Sequence, residues 1–158
     1  MAPTDTRRPD ALQSLIDDPN ETLGAEYKAQ GNLDAPLGRA KFARHLAALA
    51  NHGGGYVIIG FDDDLKPQEP RPTLPSRDDV ARVVKLYLEP VFQCDVRELL
   101  DMQGRSYAIV VVPPHGPTPV CCCADGPQEG GKVQGIARGA YYIRKPGPES
   151  APILLPQE

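Results

Sequence analysis

The stretch Ala50-Asn-His-Gly-Gly-Gly-Tyr-Val-Ile-Ile-Gly-Phe-Asp-Asp-Asp64 decides how the rest of this chain folds. Asn51 and the glycines at 53–55 can take positive φ, so we expect them to end a helix and turn the chain. The run Tyr56-Val-Ile-Ile59 is short and apolar, which is typical of a strand buried on both faces. The three Asp residues that follow need water, a cation or a basic partner to relieve their crowding. The stretch therefore predicts a helix end, a glycine turn, a central strand and an acidic strand exit.

Three elements are predicted before this stretch. Residues 10–17 carry apolar side chains at helical spacing and predict a short amphipathic helix. The segment Glu21-Thr-Leu-Gly-Ala-Glu-Tyr-Lys28 leads into a first strand at 25–29. Pro36 is favoured in the first turn of a helix, and apolar residues between 42 and 50 form a core-facing stripe after it.

The second half of the chain predicts one helix and several strands. Ser76 is a good N-cap for a helix with one apolar side, which Pro90 ends. Strands are expected at about 91–100, 106–112, 120–124 and 140–144. Residues 101–104 form a hairpin-like turn between the first two of them. The order β-α-β-α-β-β-β-β predicts a single α+β domain with a mixed, largely antiparallel sheet and packed helices.

Length and composition set limits on the class of protein. The chain has 158 residues, 41% of them hydrophobic and 24% charged, which fits one globular domain. We expect this domain to span 10–155, between a flexible N-terminal tail at 1–9 and a tail at 156–158, with mobility beginning at 149. The lack of a long apolar run and of a signal-like segment predicts a cytoplasmic protein without a membrane partner. A net charge of −4 argues against a strongly basic, histone-like binder.

Four cysteines are present, three of them adjacent at 121–123. Adjacent side chains on a strand point to opposite faces, so these thiols do not predict a disulfide framework. His115 lies upstream, but the paired Cys-x2-Cys spacing of structural zinc sites is missing. We expect buried, reduced thiols and no zinc.

The segment 126–133 resembles part of a phosphate-binding loop. It fits Gly-x4-Gly-Lys but lacks the Ser or Thr that would hold magnesium, and it leads towards a strand rather than a helix. It therefore predicts a flexible loop.

Basic residues near the end of the chain alternate with aromatic ones, as in many nucleic-acid surfaces. A second basic set lies on the helix that begins near Pro36. The candidate nucleic-acid-binding residues are Arg39, Lys41, Arg44, Lys132, Arg138, Tyr141, Arg144 and Lys145. The alternative interpretation is that the basic side chains are simply solvated and that one tyrosine belongs to the core.

Taken together, these motifs resemble the Schlafen AlbA_2 domain family. The resemblance is carried by Glu-x4-Glu-Tyr-Lys at 21–28, by Ala-x-Ala-Asn at 48–51 and by Gly-Gly-Tyr-Val-Ile-Ile-Gly-Phe-Asp-Asp at 54–63. Gly139-Ala-Tyr-Tyr-Ile-Arg144 is similar to the family's closing strand. The similarity covers roughly residues 14 to 155. Members of this family are often labelled as DNA-binding or ATP-binding domains.

The resemblance also implies an acidic site. Ribonuclease members of the family carry an acidic triad whose positions match Glu21, Glu26 and Asp63, as catalytic residues and as ligands for Mg²⁺ or Mn²⁺. Lys28 shares a strand face with Glu26 and is expected to assist there. On this hypothesis Glu26→Ala abolishes Mn²⁺-dependent cleavage and leaves the melting temperature nearly unchanged. The alternative is a surface ion pair between Glu26 and Lys28.

The neighbouring aspartates leave the third position of the triad open. Asp62 or Asp64 could replace Asp63 if the strand register differs, because alternation puts those two on the other face.

The functional prediction is a nucleic-acid-binding domain, with RNA a more expected target than DNA, extended by the acidic site to a metal-dependent endoribonuclease. The alternatives are a non-catalytic regulatory or interaction module that binds DNA or protein, and a nucleotide (ATP) binding domain. The family's core has two lobes that close into a positively lined clamp, and this chain has the length of one lobe. A homodimer is therefore expected. Effector function is expected to come from a partner chain or from a longer parent protein.

Overall fold

The computed structural model describes residues 9–29, 33–145 and 149–153. Its helices are α1 (Pro9–Asp17), α2 (Pro36–His52) and α3 (Arg77–Tyr87). Its strands are β1 (Ala25–Lys28), β2 (Gly55–Ile59), β3 (Leu88–Glu89), β4 (Asp95–Leu100), β5 (Ser106–Val112), β6 (Cys121–Cys122), β7 (Gln128–Glu129), β8 (Lys132–Val133), β9 (Tyr141–Lys145) and β10 (Glu149–Ile153). In this part of the chain, no helix is both long and apolar enough to cross a bilayer.

The central sheet has four strands in the order β1-β2-β5-β4. The strands β1 and β2 are parallel, with Lys28 opposite Ile59, and α2 is the connection between them. The strand β5 is antiparallel to both β2 and β4. This arrangement confirms the predicted α+β class and its mixed, largely antiparallel sheet.

The strand β2 is buried on both faces, as its apolar run predicts. Val57 and Ile59 pack into the larger apolar cluster, which includes residues of α2 and α3. Ile58 points the other way and packs with Leu12 and Ile16 of α1. Because successive strand side chains alternate, one strand supplies core residues to helices on both faces of the sheet.

The end of α2 differs in one respect from the expectation. Gly53 takes the left-handed conformation (φ 117°) and caps the helix, as predicted. Asn51, however, stays helical and does not turn the chain. Its side-chain amide donates to the carbonyls of Val120 and Tyr142, and its oxygen accepts from the Val120 N–H. Asn51 therefore ties α2 to the segment before β6 and to β9.

Several short strands of the second half were mispredicted. The strand expected at 91–100 begins only at Asp95, and the one expected at 120–124 is reduced to the two residues of β6. The segment 126–133 is not a simple loop, because β7 and β8 pair within it. Gly130 and Gly131 both have positive φ at the turn of this hairpin (61° and 81°), a conformation that glycine adopts without strain. Strands of two residues carry too little pattern to be recognised from sequence.

The expected tails lie mostly outside the described residues, which exclude 1–8 and 154–158. The structure does describe the residues at the inner end of each expected tail. Pro9 already belongs to α1. Mobility is expected from 149 onward, and in the structure Glu149–Ile153 pair with β9 as the strand β10.

Candidate functional site

A cavity of roughly 250 Å³ lies where β1 and β2 end, beneath the N-terminal half of α2. It is lined by both charged and apolar side chains. The lining residues are Lys28, Ala29, Leu33, Gly38, Lys41, Phe42, His45, Ile59 and Asp63. Ligand sites are common at the carboxyl ends of parallel strands, and this cavity occupies that position in the β1-α2-β2 unit.

Local structure explains why these side chains meet. On α2 the lining positions are 38, 41, 42 and 45, a spacing that places them on one face of the helix. On the sheet, Lys28 and Ile59 are paired at the ends of their strands. Asp63 lies in the turn that follows the end of β2 at Ile59. The helical period and the parallel register together build the site.

The three consecutive aspartates have different positions. Asp62 accepts hydrogen bonds from the backbone N–H groups of Asp64 (2.9 Å) and Lys66 (3.0 Å), so it stabilises the turn. Asp63 is exposed and lines the cavity. The middle aspartate is therefore the one that reaches the candidate site.

Glu26 lies in the interior and is paired with a buried cation. It is 6% exposed, and its Oε2 accepts a hydrogen bond of 2.7 Å from Nη1 of Arg144. The Arg144 side chain is fully buried and also donates to the carbonyls of Thr22 and Leu23. Buried charges of this kind depend on each other, because removal of either one leaves the other without compensation. Arg144 thus occupies the place of a structural ion-pair partner, unlike the surface cation expected from its basic and aromatic neighbours.

The other oxygen of Glu26 faces two further groups. Lys28 Nζ and His45 Nδ1 each lie 3.6 Å from Oε1. Lys28 is partly exposed, with 41% of its side chain accessible, so the proposed ion pair exists but reaches from the interior to the surface. Both oxygens of Glu26 therefore face nitrogen-bearing side chains.

His45 is buried, although the sequence groups it with Arg39, Lys41 and Arg44 on a face of α2 expected to be solvated or to contact phosphate. Burial lowers the pKa of His45 well below its usual 6.5, and the positive charges of Lys28, Arg44, Arg144 and Lys41 act in the same direction. The imidazole is therefore neutral near pH 7. The sequence signal for the burial of His45 is its position three residues after Phe42, on the face of α2 that covers the sheet.

Glu21 lies beside Glu26 but outside the cavity. Although Glu21 is exposed, partial desolvation raises its pKa, the Glu26 carboxylate raises it further, and Arg144 and Lys28 oppose this effect. Asp63 lines the cavity wall, to which neither glutamate contributes. The structure thus brings Glu21 near Glu26 and places Asp63 near Lys28.

The fit of these carboxylates to a divalent cation is incomplete. Across residues 9–29, 33–145 and 149–153, no group of three or more His, Cys, Asp or Glu side chains is arranged to hold a metal ion. The carboxylate of Glu26 is also occupied by its ion pair with Arg144. The described side chains do not supply a ligand set for Mg²⁺ or Mn²⁺, and the metal site stays a prediction.

The remaining basic candidates divide into two groups. Near the cavity, Lys41 is exposed, whereas Arg39 donates to the carbonyl of Leu33 and Arg44 to that of Gly135, each at 3.1 Å. The other group lies outside the cavity lining. Its members are the exposed Lys132, Arg138 and Lys145 and the half-buried Tyr141. The structure therefore does not gather all eight candidates into one site.

The cysteines are free thiols of two kinds. Cys94 and Cys122 are buried, and burial raises the pKa of each thiol to about 12. Cys121 and Cys123 are half-buried. The two buried thiols are protonated at neutral pH and therefore poor nucleophiles.

No family model and no curated protein matches the chain. Among solved structures it is similar to the solution structure of the N-terminal domain of a Nitrosomonas europaea protein, named as related to the ATP-dependent DNA helicase RecG. The two share 20% sequence identity with a TM-score of 0.49, over 78% of this chain and 85% of the other. The resemblance to the Schlafen AlbA_2 family therefore depends on the motifs that carry it.

Proposed function

We propose that this protein binds nucleic acid through the positively charged rim of the cavity at α2. The supporting observation is that Lys28 and Lys41 line the same cavity, and that their charges, together with that of Arg44 nearby, lower the pKa of His45 in its wall. Such a cluster in a protein with a net charge of −4 concentrates positive potential at one place. Contacts between Lys or Arg and phosphates supply most of the sequence-independent affinity for nucleic acid.

The beginning of α2 adds to this potential. No acidic residue lies in its first turn, and its first backbone N–H groups have no side-chain cap at Ala35. The positive end of the helix dipole is directed towards the same end of the sheet as the cavity. A phosphate at this place would be stabilised by both the dipole and the side-chain cations.

Binding at several salt concentrations tests the proposal. Labelled single-stranded RNA and DNA are titrated with wild type, with Lys41→Ala and with Lys85→Ala, an exposed lysine of α3 as a matched control. Lys41→Ala is expected to lower the slope of log affinity against log salt by about 1, because one phosphate contact is lost. Lys85→Ala should keep the wild-type slope. Equal slopes for all three proteins would exclude this surface, and salt-independent binding would favour a protein-interaction module. The RNA preference is tested by the same titrations.

A second candidate function is metal-dependent cleavage of the bound strand. The observation in its favour is that Lys28, whose Nζ lies 3.6 Å from Oε1 of Glu26, lines the cavity together with Asp63. Its test is incubation of tRNA and single-stranded DNA with the protein, in Mn²⁺ and in EDTA. If this second function is correct, the addition of EDTA should abolish cleavage, and so should the substitution Asp63→Ala. Cleavage that persists in Asp63→Ala would indicate a contaminant.

The ATP-binding alternative receives less support. The segment 126–133 forms the β7–β8 hairpin and does not precede a helix, so its backbone cannot present phosphate to a helix N-terminus.

A homodimer stays part of the proposal, and so does a separate partner chain that carries effector function. The strand β4 forms one edge of the central sheet, and Leu100 at its end is 55% exposed. Such an edge can pair with a second copy. Light scattering at micromolar concentration should give twice the mass of 17.1 kDa, and the monomer mass would reject the dimer.

A further inference from the structure

The cavity contains more apolar surface than phosphate binding requires. Leu33, Phe42 and Ile59 line it, and Phe42 and Ile59 are nearly fully buried. A phosphate group keeps its water and needs no apolar wall, since its affinity comes from charge. An apolar cavity beside two ammonium groups instead suits a ligand with a flat, weakly polar part next to an anion.

The size of the cavity limits this ligand. Pockets for drug-sized molecules are usually about 300–1,000 Å³. At roughly 250 Å³ the cavity is smaller than these, so it accommodates one ring system with part of an attached sugar and excludes a duplex. A base must leave its stack before it can enter such a site, which favours single strands.

The polar lining sets the orientation. The positive charges of Lys28 and Lys41 attract a phosphate. The negative charge of Asp63, which lines the same cavity, repels it. A carboxylate can only accept hydrogen bonds, so Asp63 is matched by an exocyclic amino group such as that of adenine or cytosine. Thymine and uracil lack this group.

We propose that the cavity binds one unpaired nucleobase, with its exocyclic amino group directed at Asp63 and its flanking phosphate held by Lys28 and Lys41. This inference depends on the proposed nucleic-acid binding and goes further, because it names what enters the site. Phosphate contacts alone would not distinguish a strand with bases from one without.

The decisive experiment compares an oligodeoxyadenylate with an abasic strand of equal length and charge. Wild type should bind the adenylate about tenfold more tightly, which corresponds to the stacking of one base. Ala29 lines the cavity and is half-buried, so Ala29→Phe should fill the cavity. This variant should bind the adenylate as weakly as the abasic strand and bind the abasic strand as wild type does. Ala11→Phe, at an exposed position of α1, is the matched control and should resemble wild type.

A surface variant keeps the test valid if Ala29→Phe does not fold. Asp63 is exposed, and Asp63→Ala should preserve the fold. It should bind all strands more tightly, since a negative charge is removed, yet lose the preference for oligodeoxyadenylate over oligothymidylate. An unchanged preference would overturn the assignment of Asp63.

The remaining outcomes separate the two proposals. Equal binding of adenylate and abasic strands by wild type, or an equal loss for both strands in folded Ala29→Phe, would reject the base site and leave phosphate binding intact. No binding of either strand at low salt would reject both.

Discussion

Glu26 and Asp63 belong to one sequence pattern, yet they lie in opposite environments. Glu26 is buried in the middle of β1 and paired with a fully buried arginine. Asp63 is exposed just after β2, on the wall of a cavity. Spacing in the sequence predicts that such groups are near each other, but burial and partners decide what each can do. We therefore expect Glu26 to act on stability, and we propose that Asp63 contacts the ligand.

The largest expected effect is on stability, from Glu26→Ala. This change leaves the Arg144 guanidinium buried without its carboxylate, which should lower the free energy of unfolding by about 3–5 kcal/mol. Thermal or urea unfolding measures it. Asp63→Ala is the control, and its stability should stay within about 0.5 kcal/mol of wild type.

This expectation reverses the earlier one, in which Glu26→Ala changes only catalysis. The double variant Glu26→Ala/Arg144→Met should recover much of the loss, because it removes both charges from the interior. A melting temperature for Glu26→Ala equal to that of wild type would contradict the assignment of Glu26 to stability.

The same contrast shows what the sequence could predict. The apolar run of β2 and the glycines after α2 have strong local patterns, and the predicted helix end and buried central strand follow from them. The role of Arg144 could not be predicted, because its partner Glu26 is 118 residues away in the sequence and only the fold brings them together. The sequence predicts that His45 lies on one face of a helix. That the His45 side chain is buried among cations depends on the packing of α2 on the sheet, which only the fold decides.

His45 provides a second test, through pH. Its folded pKa is below the unfolded value near 6.5, so the unfolded state binds the proton first as the pH falls. The contribution to stability is therefore complete above pH 6.5 and decreases below it, by up to about 1.4 kcal/mol for each pH unit until the folded pKa is reached.

Unfolding measured between pH 7 and pH 5 should show this decrease in wild type and a shallower one in His45→Gln. Facing His45 are Glu26, Lys28 and Arg144, together with Lys41 and Arg44 on its own helix. These five are intact in the variant, so the difference between the two curves reports His45. Parallel curves would show that the His45 imidazole is not desolvated. Water would then reach this part of the cavity wall, contrary to the burial that the structure shows.

The smallest effect on stability is expected for Lys28, the second charged partner of Glu26. Its side chain is 41% exposed and its Nζ lies 3.6 Å from Oε1, so solvent screens the pair. Lys28→Ala should cost about 0.5 kcal/mol or less in unfolding, against several kcal/mol for Glu26→Ala. Its effect should appear in binding instead, as a salt slope reduced by about 1. A large loss of stability with an unchanged slope would assign Lys28 to the interior with Glu26. It would leave Lys41 as the phosphate contact of the cavity.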